Sequence, residues 1–162
     1  MAVIAKSDTN ATTPGEFVYE MFSEVHCTKS AKVQNDSTVG GAAATNVAAG
    51  LNPVGQPVRL ASGVWEFSSE VLIDAGTIHG VIIDDTPVLG QDNLGLAANA
   101  TTIENRRILV KGPATINDNK IPTTDIYGTA LDAAAKAAYI TALNALGIEV
   151  RDNTGLTSAQ ST

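Results

Sequence analysis

One stretch of the sequence, residues 129–150, constrains the fold most, because it joins a long amphipathic helix directly to a strand. Thr129 is a favourable N-cap residue, and Asp132 can reach back to a free main-chain N–H group. Gly147 suits the left-handed conformation that ends helices, and the alternation over 148–151 predicts a strand. Apolar residues at spacings of three and four predict one buried helical stripe: Leu131, Ala135, Ala138, Tyr139, Ala142, Leu143 and Leu146.

Short strand signals precede this helix, separated by Gly, Pro and Asp turns. The predicted strands cover residues 57–60, 64–67, 70–74, 106–111 and 114–116, and the strongest β-branched run lies within 76–90. Val25 and Cys27 are read as one face of a further strand, with His26 on the other face. One helix beside several strands predicts the α+β class: a small β-rich domain with one principal C-terminal helix.

The composition predicts three segments. Residues 1–22 are an extended N-terminal arm, residues 23–152 a single β-rich domain, and residues 153–162 a flexible tail rich in Ser, Thr, Gly and Gln. Two stretches without periodicity, 34–57 and 91–103, are predicted to be loops. Large apolar residues concentrate at the end of the arm, where they either plug the core or dock on a neighbour: Phe17, Tyr19, Met21 and Phe22.

The charge balance limits the classes of partner. Ten basic against 17 acidic residues give a net charge of −7, which argues against binding to a nucleic-acid backbone. A single cysteine, Cys27, cannot form an internal disulfide, which is typical of a protein made in a reducing cytosol. No apolar run approaches the roughly 20 residues that span a bilayer, and no secretory signal is recognised, so no membrane association is expected.

Few residues could carry catalysis or bind a metal. Adjacent strand residues point to opposite faces, so Asp84 and Asp85 cannot share a proton as a protease dyad does, and a capped turn is favoured. The soft-metal ligands are His26, Cys27 and His79, and the first two would face opposite ways in a strand. Cys27 is therefore interpreted as a small buried apolar residue. The sequence predicts no enzyme, cofactor or metal site.

Three segments carry a resemblance to a known family. They are Gly55–Leu60 (GQPVRL), Ala75–Ile82 (AGTIHGVI) and Arg107–Ala114 (RILVKGPA), followed by a helix that ends in Leu-Gly-Ile. This progression, over roughly residues 55–151, resembles the head decoration proteins of tailed bacteriophages and the capsid-binding base of phage head-fibre proteins. The resemblance implies a barrel- or tulip-like domain that sits, usually as a homotrimer, on the outside of an icosahedral capsid and clamps neighbouring major capsid protein subunits.

The same resemblance implies which residues bind. The N-terminal arm of such proteins adds a strand to the sheet of the capsid protein, and here the matching positions are Ala2, Val3, Ile4, Phe17, Tyr19 and Phe22. The implied location is the exterior of the virion, after synthesis in the host cytoplasm.

Two alternatives stay open. One is a receptor- or glycan-binding adhesion module with Trp65 and the Gly-rich loops as its contact surface, although a core-facing pair of Trp65 and Phe67 is favoured. The other is a small hydrolase that uses Asp84 or Asp85 with His79.

Overall fold

The computed structural model describes residues 17–35, 52–86 and 104–151. Its strands are β1 (Val18–Met21), β2 (Thr28–Gln34), β3 (Pro57–Ala61), β4 (Val64–Phe67), β5 (Gly80–Ile82), β6 (Glu104–Leu109), β7 (Ala114–Asn117) and β8 (Ile148–Arg151). Its helices are α1 (Glu24–Cys27), α2 (Glu70–Asp74) and α3 (Ala133–Ala145), with a 3-10 turn at Asp118–Lys120. The protein is α+β, as predicted, with a barrel, a second sheet and one main C-terminal helix.

Five strands close into a barrel in the order β2–β4–β3–β5–β6, and β6 pairs again with β2. All pairs are antiparallel except β2–β4. The β2–β6 ladder runs from Thr28–Leu109 to Val33–Glu104, whereas the β2–β4 ladder has only the pairs Val33–Trp65 and Gln34–Glu66. Strand β2 is therefore paired along most of its length on one side and only at its C-terminal end on the other.

One face of the barrel strands forms a single apolar cluster, consisting of Val33, Val58, Trp65, Phe67, Ile82, Ile108 and Ile126. Directly opposed residues such as Val58–Phe67 and Ile82–Ile108 share a face of the sheet. In a barrel of this size that face is the interior, which side chains fill. The predicted core-facing pair of Trp65 and Phe67 is confirmed.

The remaining strands form a sheet in the order β1–β7–β8, in which β7 runs antiparallel to β1 and parallel to β8. Helix α3 buries Ala135, Tyr139 and Leu143 in the apolar cluster that includes Ile116 and Ile148 of this sheet. Burying each of the two large side chains contributes about 1.5–3 kcal/mol. The centre of the predicted stripe is confirmed, and so is the closing strand, whereas Leu131 packs against the same cluster from outside the helix.

The start of α3 differs from the prediction. Asp132, not Thr129, is the N-cap, and its side chain accepts the Ala135 N–H at 2.9 Å. The N–H of Thr129 is already bonded to Asp125 Oδ1 at 2.8 Å, and Ala130 forms an isolated β-bridge with Thr124. These contacts hold residues 129–131 outside the helix. At the other end Gly147 has φ +76°, which confirms the predicted left-handed terminator.

Two predicted strands are short helices instead. Residues 24–27 form α1, because the Ser23 side chain accepts the His26 N–H and the Cys27 N–H bonds to the Ser23 carbonyl. Residues 70–74 form α2, which packs against α3, and the Glu70 N–H at its start is bonded to Asp125. Of the β-rich run 76–90 only Gly80–Ile82 is a strand within the described residues.

The residue pair before β7 makes a close main-chain approach to the turn between α3 and β8. The Gly112 N–H donates to the Leu146 carbonyl at 2.9 Å, and a Cβ atom at position 112 would overlap the Gly147 carbonyl. Only glycine fits at position 112 without moving one of these segments.

Several predictions fall outside the described residues. They concern residues 1–16 of the arm, most of the loop 34–57, the loop 91–103 and the tail from residue 153.

Candidate binding surface

The predicted contact residues divide into three groups. Ala2, Val3 and Ile4 lie outside the described residues. Phe17 is completely buried in the core cluster around α3, and Val18–Met21 is a strand of the β1–β7–β8 sheet, so the folded domain begins before residue 22. The predicted arm boundary is corrected accordingly, because pairing with β7 orders this segment. Phe22 is 75% exposed.

Tyr19 has an intermediate position. Tyr19 as a whole is half-buried, but its hydroxyl oxygen is fully buried and has no hydrogen-bond partner among the residues that the structure describes. It lies where the β1–β7 register shifts, between Val18 and Glu20. Of the two readings of the apolar cluster at the end of the arm, burial in the core is confirmed for Phe17, whereas Phe22 faces outward.

Local contacts fix how Phe22 is displayed. Its N–H donates to the Pro113 carbonyl at 3.0 Å, and its ring meets the His26 ring edge-on at a centroid distance of 6.0 Å. Helix α1 follows at once and leaves Val25 92% exposed. Two large apolar side chains thus project from one short turn, which we call the Phe22–Val25 surface.

The α1 turn is anchored to the barrel on its other side. The Thr28 hydroxyl donates to the Glu24 carbonyl at 2.6 Å, and Glu24 forms an ion pair with Arg107 of β6. Cys27 is buried and free, as predicted, and its Sγ lies 3.6 Å from the Pro113 carbonyl. Because the turn is held at both ends, the exposure of Phe22 and Val25 is a property of the fold.

Beside this surface lies a cleft of about 420 Å³, which reaches across the β1–β7–β8 sheet. Phe22, Met21 and Pro113 line one part of it, and Glu149 and Arg151 line another. Its apolar part is continuous with the Phe22–Val25 surface through the shared Phe22 side chain.

The polar part of the cleft contains an exposed ion pair. Arg151 Nε and Nη2 donate to the two carboxylate oxygens of Glu149 at 2.8 and 2.9 Å. The hydrogen bond from Arg151 lowers the pKa of Glu149 below its ordinary value, and the same bond raises the pKa of Arg151. Both side chains are more than half exposed, so the pair contributes little to folding and is open to a partner.

Among the described strands, β1 pairs with β7 alone, so the other edge of its main chain has no strand partner within the described residues. A free strand edge presents unpaired N–H and C=O groups that can bind an extended segment. The Phe22–Val25 surface, the cleft and this edge adjoin one another.

Asp84 and His79, which were considered for chemistry, each accept a main-chain hydrogen bond. Asp84 Oδ1 accepts the Thr86 N–H at 2.8 Å, which confirms the predicted capped turn. His79 Nδ1 accepts the Leu60 N–H at 2.9 Å. Among the residues that could be searched, no group of three or more His, Cys, Asp or Glu side chains could hold a metal ion.

The adhesion alternative loses its principal contact residue. Trp65 is only 8% exposed and belongs to the cluster inside the barrel, so its ring face is not available for stacking on a sugar.

The sequence did not identify Val25 as a surface residue. Its alternation with Cys27 predicts that both residues lie on one face of a strand, whereas the helical turn α1 buries Cys27 and leaves Val25 exposed. The useful signal was Ser23, a favoured N-cap residue followed by Glu24 in the first helical position.

No helix in the described ranges is long and apolar enough to cross a membrane. Comparisons with protein-family models, with curated proteins and with solved structures found no match to this chain.

Proposed function

We propose that this protein decorates the outer surface of an icosahedral phage head, where it binds and stabilises adjacent major capsid protein subunits, as a homotrimer. The observation that carries the proposal is the Phe22–Val25 surface. Phe22 and Val25 are 75% and 92% exposed on one short turn, and exposed apolar side chains that are grouped on a surface indicate a contact site more strongly than single ones do.

The position of this surface adds support. It lies at the end of the N-terminal segment, next to the free edge of β1. A segment of the capsid protein can bind there through main-chain hydrogen bonds, while its side chains cover Phe22 and Val25. Ala2, Val3 and Ile4 stay proposed contacts that would extend the same interface.

The α+β architecture is consistent with the proposal. A small barrel with one C-terminal helix is the kind of domain that the resemblance to head decoration proteins implies, although fold alone does not establish function. The Glu149–Arg151 pair supplies a polar rim beside the apolar contact, which is the usual anatomy of a protein interface.

The test is binding to capsids that lack the protein. Phe22→Asp combined with Val25→Asp should abolish stoichiometric binding, measured by co-sedimentation, because two charges would be desolvated at the interface. Val71→Asp is the matched control, since Val71 is 71% exposed on α2 and does not line the cleft that adjoins this surface. All these side chains are exposed, so the free energy of unfolding should change by no more than about 0.5 kcal/mol.

The truncation that tests the arm must stop at residue 16. Removing residues 1–22 would also remove Phe17 from the core and β1 from its sheet, and would unfold the protein for an unrelated reason. Failure of the full protein to bind such capsids would refute the proposal. Capsid binding that survives both the double substitution and the deletion of residues 1–16 would refute the assignment of the contact to the Phe22–Val25 surface and the arm. Retention of the full protein on a glycan array, with no binding to capsids, would favour the adhesion alternative.

A further inference from the structure

A second cleft, separate from the Phe22–Val25 surface, opens between β2 and the turn that joins β3 to β4. Its volume is about 410 Å³. Lys29 and Lys32 line it from β2, and Gly63, Val64 and Trp65 line it from the opposite side.

The cleft exists because β2 and β4 diverge. Their parallel ladder has only two pairs, Val33–Trp65 and Gln34–Glu66, and no pair joins residues 28–32 of β2 to β4. Those residues are nevertheless held extended by β6 on the other side. A rigid half-paired strand therefore forms one wall of an open gap in the barrel.

Main-chain groups of β2 face into this gap. In an antiparallel ladder, alternate residues direct both their N–H and their C=O group away from the partner strand. Over residues 28–31 these groups point from β6 towards the cleft, where the described residues include no strand to receive them. An added strand can use them for main-chain hydrogen bonds.

The side chains that line the cleft determine which kind of strand can bind there. Lys29 and Lys32 are exposed, and neither forms an ion pair with a described residue, in a chain whose net charge is −7. Opposite them, Val64 is 41% exposed. The cleft thus combines two uncompensated positive charges with an apolar wall, which complements a segment that carries both carboxylates and apolar side chains.

The spacing of the lysines predicts a register. Residues three apart in a strand point to opposite faces, so Lys29 and Lys32 lie on opposite faces of β2. A segment paired with β2 places one carboxylate against each lysine only if its acidic residues are also three apart, with apolar residues between them.

We propose that this cleft binds an extended acidic segment of a partner protein, which adds as a strand to β2 with carboxylates three residues apart against Lys29 and Lys32. The proposal does not depend on capsid binding, because it uses a different edge and different side chains.

The only tryptophan of the chain, Trp65, lines the cleft and serves as the probe. Its fluorescence is followed while the full protein is titrated with a short capped peptide of sequence Asp-Val-Val-Asp. We expect a saturable change that weakens as salt rises. A peptide with its two aspartates two residues apart should bind about tenfold more weakly, and so should one with N-methyl groups on the main-chain nitrogens that face β2.

Charge reversal supplies the decisive variant. Lys29→Glu combined with Lys32→Glu should remove the response to the acidic peptide and create one to Lys-Val-Val-Lys. Lys111→Glu is the matched control, because Lys111 is exposed and does not line the cleft, and it should leave binding unchanged.

Three results would overturn the proposal. They are a response that survives the double reversal, equal binding of the two aspartate spacings, or an equal response to inorganic phosphate at the same ionic strength. Circular dichroism of each variant establishes that the fold is intact, since both lysines are exposed and their replacement is expected to leave it so.

Discussion

Asp125 is a buried carboxylate that joins the turn before α3 to the start of α2. It is 2% exposed, its Oδ1 accepts the N–H groups of Tyr127 and Thr129 at 2.9 and 2.8 Å, and its Oδ2 accepts the Glu70 N–H at 2.8 Å. One side chain thus shapes the turn before α3 and fixes the start of α2. We predict that Asp125→Ala is among the most destabilising single substitutions in the protein.

The magnitude follows from the contacts. Each N–H group left without an acceptor in a buried site costs about 1–3 kcal/mol, and entry of water recovers part of that loss. For three donors we expect a decrease of about 3–5 kcal/mol in the free energy of unfolding, which lowers Tm by about 10 °C in a domain of this size. Urea unfolding followed by circular dichroism measures it.

A double-mutant cycle isolates the bond to α2. Asp125→Asn keeps an acceptor for Tyr127 and Thr129 but turns an amide NH₂ towards the Glu70 N–H, and should cost about 1–2 kcal/mol. Glu70→Pro removes that N–H at the first helical position, where proline is tolerated, and Ser69 already has the extended conformation that precedes proline (φ −68°, ψ 164°).

The cost of Asp125→Asn should therefore fall by about 1 kcal/mol in the Glu70→Pro background. A loss below about 1 kcal/mol for Asp125→Ala, or a cost of Asp125→Asn that Glu70→Pro leaves unchanged, would refute this role of the carboxylate.

Three further predictions concern other contacts. Gly112→Ala should lower the free energy of unfolding by about 3 kcal/mol, because the new Cβ would overlap the Gly147 carbonyl. Gly63→Ala, at φ +82° in open space, should lower it by only about 1–2 kcal/mol. Thermal unfolding measures both variants. Tyr139→Phe should cost about 1–2 kcal/mol, since the buried Gly55 carbonyl loses the hydroxyl that donates to it at 2.7 Å; an unchanged urea midpoint would contradict this. Arg151→Ala should raise the pKa of Glu149 towards its ordinary value in an NMR titration, because Arg151 lowers this pKa through a hydrogen bond. A lowered pKa stabilises the folded state at pH values above the pKa of Glu149 in the unfolded chain. This contribution disappears as the pH falls through the pKa of Glu149 in the folded protein.

Long periodic elements could be predicted from the sequence, and elements set by distant contacts could not. The α3 stripe and its Gly147 terminator are local patterns, so both were recovered. The sequence does not reveal the N-cap of α3, because Asp125 binds the Thr129 N–H. It does not reveal α2 either, because five residues are too few to show a helical period and the acceptor of the first N–H group, Asp125, lies 55 residues away in the sequence.

The same reason limits prediction of the binding surfaces. Phe17 and Phe22 are both aromatic residues near the start of the chain, and only the pairing of β1 with β7 decides that the first is buried and the second exposed. The cleft at Lys29 and Lys32 depends on where β2 and β4 diverge, which no local pattern encodes.

Photo-crosslinking from position 22 in purified virions tests the central claim most directly. A benzophenone amino acid replaces Phe22 in one variant and Val71, the exposed control position on α2, in another. We predict that position 22 crosslinks to the major capsid protein, identified by mass spectrometry at a defined peptide, and that position 71 does not. The absence of any capsid crosslink from position 22, in particles that retain the protein, would contradict the proposed contact between the Phe22–Val25 surface and the capsid.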